Sequence, residues 1–236
     1  MEQGLLAADP SVFLVGRNAP KGARLDKGRI KAWSQSDAQS FLESVRGDDL
    51  ETLWQVYLGT GFRRGEALGL EWVDFDPTQA TLTVRRTLSN VGNQPRFQEP
   101  KTLSARRTIA IGTSLAQGLV EHRKHQAADR LASSVWDSEH DLVFTGQNGQ
   151  LLRPEMVTRR LRRLVDEAGL DWVGVHGLRH TMASLALQNG TDIATVSERL
   201  GHANTQITPL IYLHGSADTD RQAADGLDIA LNGTTP

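Results

Sequence analysis

A mainly helical domain with one small antiparallel β-sheet, an α+β fold, is what this 236-residue sequence predicts. Three features carry the expectation. Apolar residues recur at helical spacing behind capping residues from Ser34 onward, the segments 81–87 and 107–111 alternate like strands, and the stretch 90–95 between them is dense in turn formers. The length suffices for a substantial core and permits one large domain or two small ones.

Residues 1–33 carry Gly16, Asn18, Pro20, Lys21, Gly22 and Gly28 with no sustained apolar period, and read as a linker or N-terminal segment. Ser34 or Ser36 caps a helix running to about Arg46, with Phe41, Leu42 and Val45 on one face and Glu43 and Arg46 outside it. A second, strongly apolar helix over about 49–59 buries Leu50, Leu53, Trp54, Tyr57 and Leu58. Gly61 breaks it, and 63–70 reads as another helix. The two strand-like segments make a small sheet, with Lys101 in the turn region Pro100-Lys101-Thr102. Helices follow at about 113–131 and 154–168, separated by a short strand at 141–144. His176 or Gly177 opens a helix that ends near Gly190, and Asp192 caps the next, which Gly201 stops. The chain then stays mostly helical through Tyr212, and Leu227 and Leu231 in the tail 215–236 are spaced for one more amphipathic turn.

With no cysteine, disulfides and thiolate metal sites are excluded, and a reducing cytosol is the expected compartment. The segment Leu5-Leu6-Ala7-Ala8-Asp9-Pro10 is broken by Asp and Pro and has no basic flank, so it does not read as a signal peptide. No apolar run approaches the ~20 residues that span a bilayer, so no membrane partner is expected. The formal net charge is −2, with a pI near 6.4, so any polyanion site must come from local clustering. Two clusters stand out. Arg85, Arg86, Arg96, Lys101, Arg106 and Arg107 face the single acid Glu99 within 85–107, and Arg153, Arg159, Arg160, Arg162 and Arg163 follow. Each cluster alone reads equally well as solvated surface.

The chemistry-bearing residues are two arginines, several histidines and one tyrosine. Cleaving a phosphodiester adds negative charge to its non-bridging oxygens, a task suited to guanidiniums, which are planar, forked and always charged. Arg63 and Arg179 are the candidates. On a helix His176, Arg179 and His180 stand at i, i+3 and i+4 and face one point. A tyrosine needs a base or a cationic field to become a nucleophile at neutral pH, and His176 with Arg179 supplies both. His202 suits donation to a phosphate oxygen. Of the two tyrosines, Tyr57 lies on the apolar stripe and reads as core, leaving Tyr212 as the candidate nucleophile. The histidine pair could instead bind zinc, but Gly177 stands where a zincin has Glu, and Arg179 lies between the ligands. His122, His125, His140 and His214 read as packing or surface groups.

In order and spacing these residues resemble the catalytic domain of the tyrosine recombinase (phage integrase) family. The boxes are Thr60-Gly61-x-Arg63-x-x-Glu66, His176-x-Leu178-Arg179-His180, and Leu200-Gly201-His202 with Tyr212 ten residues on. The likeness spans about 34–214, and Lys101 matches the lysine usual in a turn of the small sheet. It implies that Tyr212 attacks a scissile phosphate to give a 3′-phosphotyrosyl link while Lys101 protonates the leaving 5′-oxygen. Arg63, Arg179 and His202 would hold the non-bridging oxygens, His176 would assist proton transfer, Glu66 would orient the site's side chains, and His180 would support them. Neither metal nor nucleotide cofactor is implied.

The implied partner is double-stranded DNA, gripped by Arg85, Arg86, Arg106, Arg107, Arg153, Arg159 and Arg160. The resemblance further implies self-association as a tetramer on two duplexes, weak or absent without DNA, with the tail docking on a neighbour and a host DNA-bending factor assisting. The expected location is cytoplasmic, on the nucleoid when DNA is bound. Family members usually carry an N-terminal helical clamp, whereas about thirty residues precede the matched region here; the chain reads either as an excised catalytic domain or as an unusually small member, and without the clamp affinity in the nonspecific range of about 10⁻⁴–10⁻⁶ M, falling steeply with salt, is expected. Pro209 stands where it starts or breaks the tyrosine's helix. Alternative readings are a type IB topoisomerase forming the same bond, a DNA-binding regulator that keeps the fold without the reaction, and a metal-dependent hydrolase built on His176 and His180.

Overall fold

A computed structural model describes residues 31–91, 94–99, 106–137 and 139–201. Lys101, His202, Tyr212, most of the expected N-terminal segment and the tail 215–236 lie outside the described residues.

Helix α1 (Gln35–Ser44) opens on a reciprocal cap: the Ser34 hydroxyl accepts from the Asp37 N–H at 3.1 Å, and the Asp37 carboxylate accepts from the Ser34 N–H at 3.1 Å. Helix α2 (Glu51–Thr60) buries Leu53, Trp54, Val56 and Tyr57, while Leu50 and Leu58 are only half-buried. Helix α3 (Arg64–Leu68) is shorter than the sequence suggests, ending at Gly69. A 3-10 turn (Trp72–Asp74) leads into β1 (Phe75–Asp76), β2 (Thr81–Val84), β3 (Thr87–Val91), β4 (Gln94–Gln98) and β5 (Arg107–Ala110). Then come α4 (Thr113–Ala132), α5 (Pro154–Glu167), α6 (Gly174–Gln188) and α7 (Ile193–Leu200). Helix α6 begins two residues earlier than expected, on a Gly174 with φ +67°. No helix among the described residues is long and apolar enough to cross a membrane.

The structure divides the expected single sheet in two. Strands β1, β2 and β5 form an antiparallel sheet with Leu82 opposite Ile109, and β3 and β4 form a separate hairpin with Leu88 opposite Phe97. The break follows Val84, where Arg85 and Arg86 turn aside to pair with Asp74 and Glu71. The turn-rich stretch 90–95 is strand at both ends, because β4 has no fully buried residue and so accepts polar side chains and a proline. The expected strand 141–144 is not one: Leu142 makes a single bridge to Glu71, and the Val143 N–H donates to the Leu70 carbonyl at 2.8 Å. Leu142, Val143 and Phe144 are buried in succession, without the alternation of a half-exposed strand.

Helix α2 lies at the centre, packed against α6 and α4 and also touching α1 and α3. The main core joins Phe41, Leu53, Trp54, Tyr57, Leu82, Leu119, Leu161 and Leu178; a smaller cluster of Met182, Ala183, Val196 and Leu200 fastens α7 to α6. Trp33, placed by the sequence in the N-terminal segment, belongs to this core. Its N–H donates to Thr181 Oγ1 at 2.9 Å and its indole to the Asp171 carbonyl at 2.8 Å.

Gly61 ends α2 in the left-handed conformation, φ +66°. A Cβ there would stand 2.2 Å from Met182 Cε and 3.0 Å from Leu200 Cδ2, so α6 and α7 close onto bare backbone. Gly61→Ala therefore loses about 3 kcal/mol from combined backbone strain and overpacking. Gly47, φ +78° with open space around it, is the control: its alanine variant carries the backbone penalty alone, about 1–2 kcal/mol. Urea unfolding separates the two, and equal losses would contradict the close approach.

Candidate active site

The last turn of α7 leaves carbonyls without helical partners, and three successive ones are claimed by three arginines from three other elements. Arg107 Nε, on β5, donates to the Arg199 carbonyl at 2.7 Å; Arg179 Nη2, on α6, to that of Leu200 at 2.7 Å; and Arg63 Nη2, at the start of α3, to that of Gly201 at 3.3 Å. Cations also complement the negative end of the helix dipole. Gly201 has φ +63° and a Cβ there would lie 2.9 Å from Arg107 Nη1, so the Leu200-Gly201 box is glycine for lack of room as well as for conformation. Arg179 is buried, and its Nη1 donates to the Gly61 carbonyl at 2.7 Å, tying the end of α2 to the end of α7. Thr60, also buried, donates to the Val56 carbonyl at 2.6 Å and accepts from the Phe62 N–H at 3.1 Å, fixing the bend before Arg63.

Glu66 is the anion within this cationic group. Its Oε1 accepts from Arg63 Nη1 at 2.7 Å and Arg107 Nη1 at 3.2 Å; its Oε2 accepts from the Arg63 N–H at 2.8 Å and Arg107 Nη2 at 2.9 Å. Burial by itself would push its carboxyl up. The Arg107 hydrogen bonds and charge, with those of Arg63, outweigh that and hold it below the ordinary carboxylate value. Arg63 keeps 44% of its side chain exposed.

His176 and His180 share one face of α6, ring centroids 4.5 Å apart and edge-on. Partial desolvation of the His176 ring, then the Arg179 and Arg63 charges, hold its pKa below the usual histidine value, so the neutral ring is the resting form at neutral pH. Tyr57 is core, its hydroxyl donating to the Arg64 carbonyl at 3.2 Å. Burial, opposed by the Arg64 charge, pushes its pKa well above the ordinary tyrosine value.

The structure thus brings Arg63, Glu66, His176, Arg179 and His180 of the sequence-predicted set into one region. The basic residues expected to grip DNA stand in different surroundings. Arg107 is no surface cation: only 8% of its side chain is exposed, and it lies over the Phe62 ring at 5.2 Å. Arg86 is matched by Glu71 and Asp74, Arg85 by Asp74, and Arg160 by the buried Asp48 carboxylate at 2.9 Å from its Nε. Arg160 thereby fastens α5 to the loop before α2. Arg106, Arg153 and Arg159 are exposed. Sequence reasoning missed the inward role of Arg107, although strand period was a signal for it: Arg107 and Ile109 share a face of β5 and point inward, while Thr108 and Ala110 are exposed.

The sequence profile of the phage integrase family matches residues 36–218. The chain belongs to the phage integrase family. A relative from Caldanaerobacter subterraneus subsp. tengcongensis, a tyrosine recombinase XerC-like protein, is 35% identical over 78% of this chain and 50% of its own length. The Tn1549 transposon integrase in complex with circular intermediate DNA superimposes with a TM-score of 0.73 at 24% identity, over 86% of this chain and 68% of that one. The XerA recombinase crystal structure does so with a TM-score of 0.64 at 25% identity, over 84% and 65%. This integrase-family chain spans about half the length of the relatives it matches.

Proposed function

We propose that this phage integrase family chain supplies the catalytic domain of a site-specific DNA recombinase, cutting and rejoining strands through a 3′-phosphotyrosyl intermediate. The supporting observation is that Arg63 and Arg179, distant in sequence, reach the adjacent carbonyls of Leu200 and Gly201, the two residues before His202 in the chain.

In the reaction Tyr212 Oη attacks the phosphorus, and its proton passes to neutral His176. The bond to the 5′-oxygen breaks, and Lys101 protonates the leaving oxygen. Arg63, Arg179 and His202 stabilise charge on the non-bridging oxygens. Glu66 holds Arg63 in place, and His180 supports His176. Religation reverses these steps, so the bond energy is conserved. The partner is double-stranded DNA, with phosphates contacted by the exposed Arg106, Arg153 and Arg159; strand exchange requires copies of the chain paired on two duplexes, with the tail 215–236 docking between them and a host DNA-bending factor assisting. The protein acts in the cytoplasm, on the nucleoid.

The test incubates the 236-residue chain with a pool of nicked duplexes of randomised sequence in excess EDTA. A detergent-resistant protein–DNA adduct is expected, absent from Tyr212→Phe. An adduct that survives Tyr212→Phe refutes the nucleophile. DNA retained without any adduct points to a regulator, and loss of reaction in EDTA to a metal-dependent hydrolase.

The rate also carries a pH signature. A base with a depressed pKa stays available to lower pH, so adduct formation falls only as pH drops through a value below 6.5, the ordinary histidine figure. His176→Gln removes that limb. A wild-type limb at or above the ordinary figure contradicts the assignment.

A further inference from the structure

We propose that Arg107 is a positioning residue for strand cleavage, a clasp between Glu66 and the end of α7 that sets where Arg63 stands against that helix end. The inference rests on the recombinase reading above. Arg107 uses its fork on both Glu66 oxygens, at 3.2 and 2.9 Å, and its remaining edge, Nε, on the Arg199 carbonyl at 2.7 Å. The Arg199 side chain returns the contact, Nη1 donating to the Ala110 carbonyl of β5 at 3.0 Å and Nη2 to that of Gly59 at 3.2 Å. Strand and helix are therefore tied in both directions. Glu66 in turn holds both the backbone and the guanidinium of Arg63. Only 8% of the Arg107 side chain is exposed, beside Glu66, Phe62 and Gly201, so its part in the reaction runs through the groups it holds. No other side chain has a two-point fork and a separate donor edge. Lysine keeps the charge but offers a single ammonium, unable to reproduce the planar fork and the Nε contact together.

The experiment compares wild type, Arg107→Lys and Arg107→Met in the nicked-duplex assay, alongside DNA affinity by fluorescence anisotropy, thermal melting and amide hydrogen exchange. Arg107→Lys is expected to melt and bind DNA close to wild type while its adduct forms about tenfold to a hundredfold more slowly at saturating DNA, because the reacting groups are misplaced rather than removed. Amide exchange accelerates in both variants at the end of α7 and stays unchanged in α2 and α4. A wild-type rate in Arg107→Lys overturns the proposal, and so does a slowing matched by equal losses of affinity and melting temperature. If wild type forms no adduct, the recombinase reading has failed by itself; unchanged exchange at the end of α7 then refutes the clasp, and accelerated exchange there sustains it.

Discussion

Arg179→Ala is expected to slow adduct formation severely and to weaken the fold in the same stroke. Arg179 is 3% exposed, and its guanidinium donates to two helix-end carbonyls, those of Gly61 and Leu200, each at 2.7 Å. Removing it leaves both acceptors buried without that partner and opens a cavity between α2, α6 and α7, a loss of about 3–5 kcal/mol. In the proposed reaction Arg179 also stabilises the transition state, and losing that contact separately costs about a hundredfold to a thousandfold in rate. Urea unfolding and the nicked-duplex assay, run at a temperature where the variant stays folded, separate the two effects. Arg179→Lys restores charge and one carbonyl contact, so it recovers stability before activity. A variant that recovers both equally would show Arg179 to be a helix tie and nothing more.

Glu66→Ala is the second large effect. It strips the buried Arg107 of its counter-charge and Arg63 of its anchor, and an uncompensated buried cation costs about 3–5 kcal/mol. Glu66→Gln keeps the shape and loses only the charge, so it falls between wild type and Ala. The pH dependence has a fixed sign. Because the folded-state pKa lies below the unfolded one, the carboxylate's contribution is complete above the unfolded value, near 4.5, and disappears as pH falls through the folded value. Wild type therefore loses stability on acidification through that window, and Glu66→Gln lacks this component. Parallel stability–pH curves for the two proteins would show that Glu66 is not the stabilising anion.

The parts of the fold legible in the sequence were those set by local rules. Ser34 caps α1, Gly61 and Gly201 end α2 and α7 in the left-handed region, and Asp192 caps α7 by accepting from the Thr195 N–H at 2.9 Å. The i, i+3, i+4 spacing of His176, Arg179 and His180 placed them together because α6 is regular there, although Arg179 turns inward to bond backbone. What escaped was set by long-range pairing. Splitting one sheet into a three-stranded sheet and a hairpin depends on Arg85 and Arg86 finding Asp74 and Glu71, which no local pattern announces. Arg107 looked like one more cation in a basic stretch, because charge density along a chain does not tell an outward arginine from one enclosed by a carboxylate. Glu66 was legible as a member of a box, but its junction of two arginines became visible only once β5 was laid against α3 and α7.

In the proposed reaction one phenolic oxygen meets a scissile phosphorus beside the guanidiniums gathered at the end of α7. The most direct measurement digests the trapped protein–DNA adduct with protease and nuclease and locates the nucleotide-bearing residue by mass spectrometry. A nucleotide joined through phosphate to Tyr212, and none on Tyr57, is the expected result. Attachment at any other residue would contradict it.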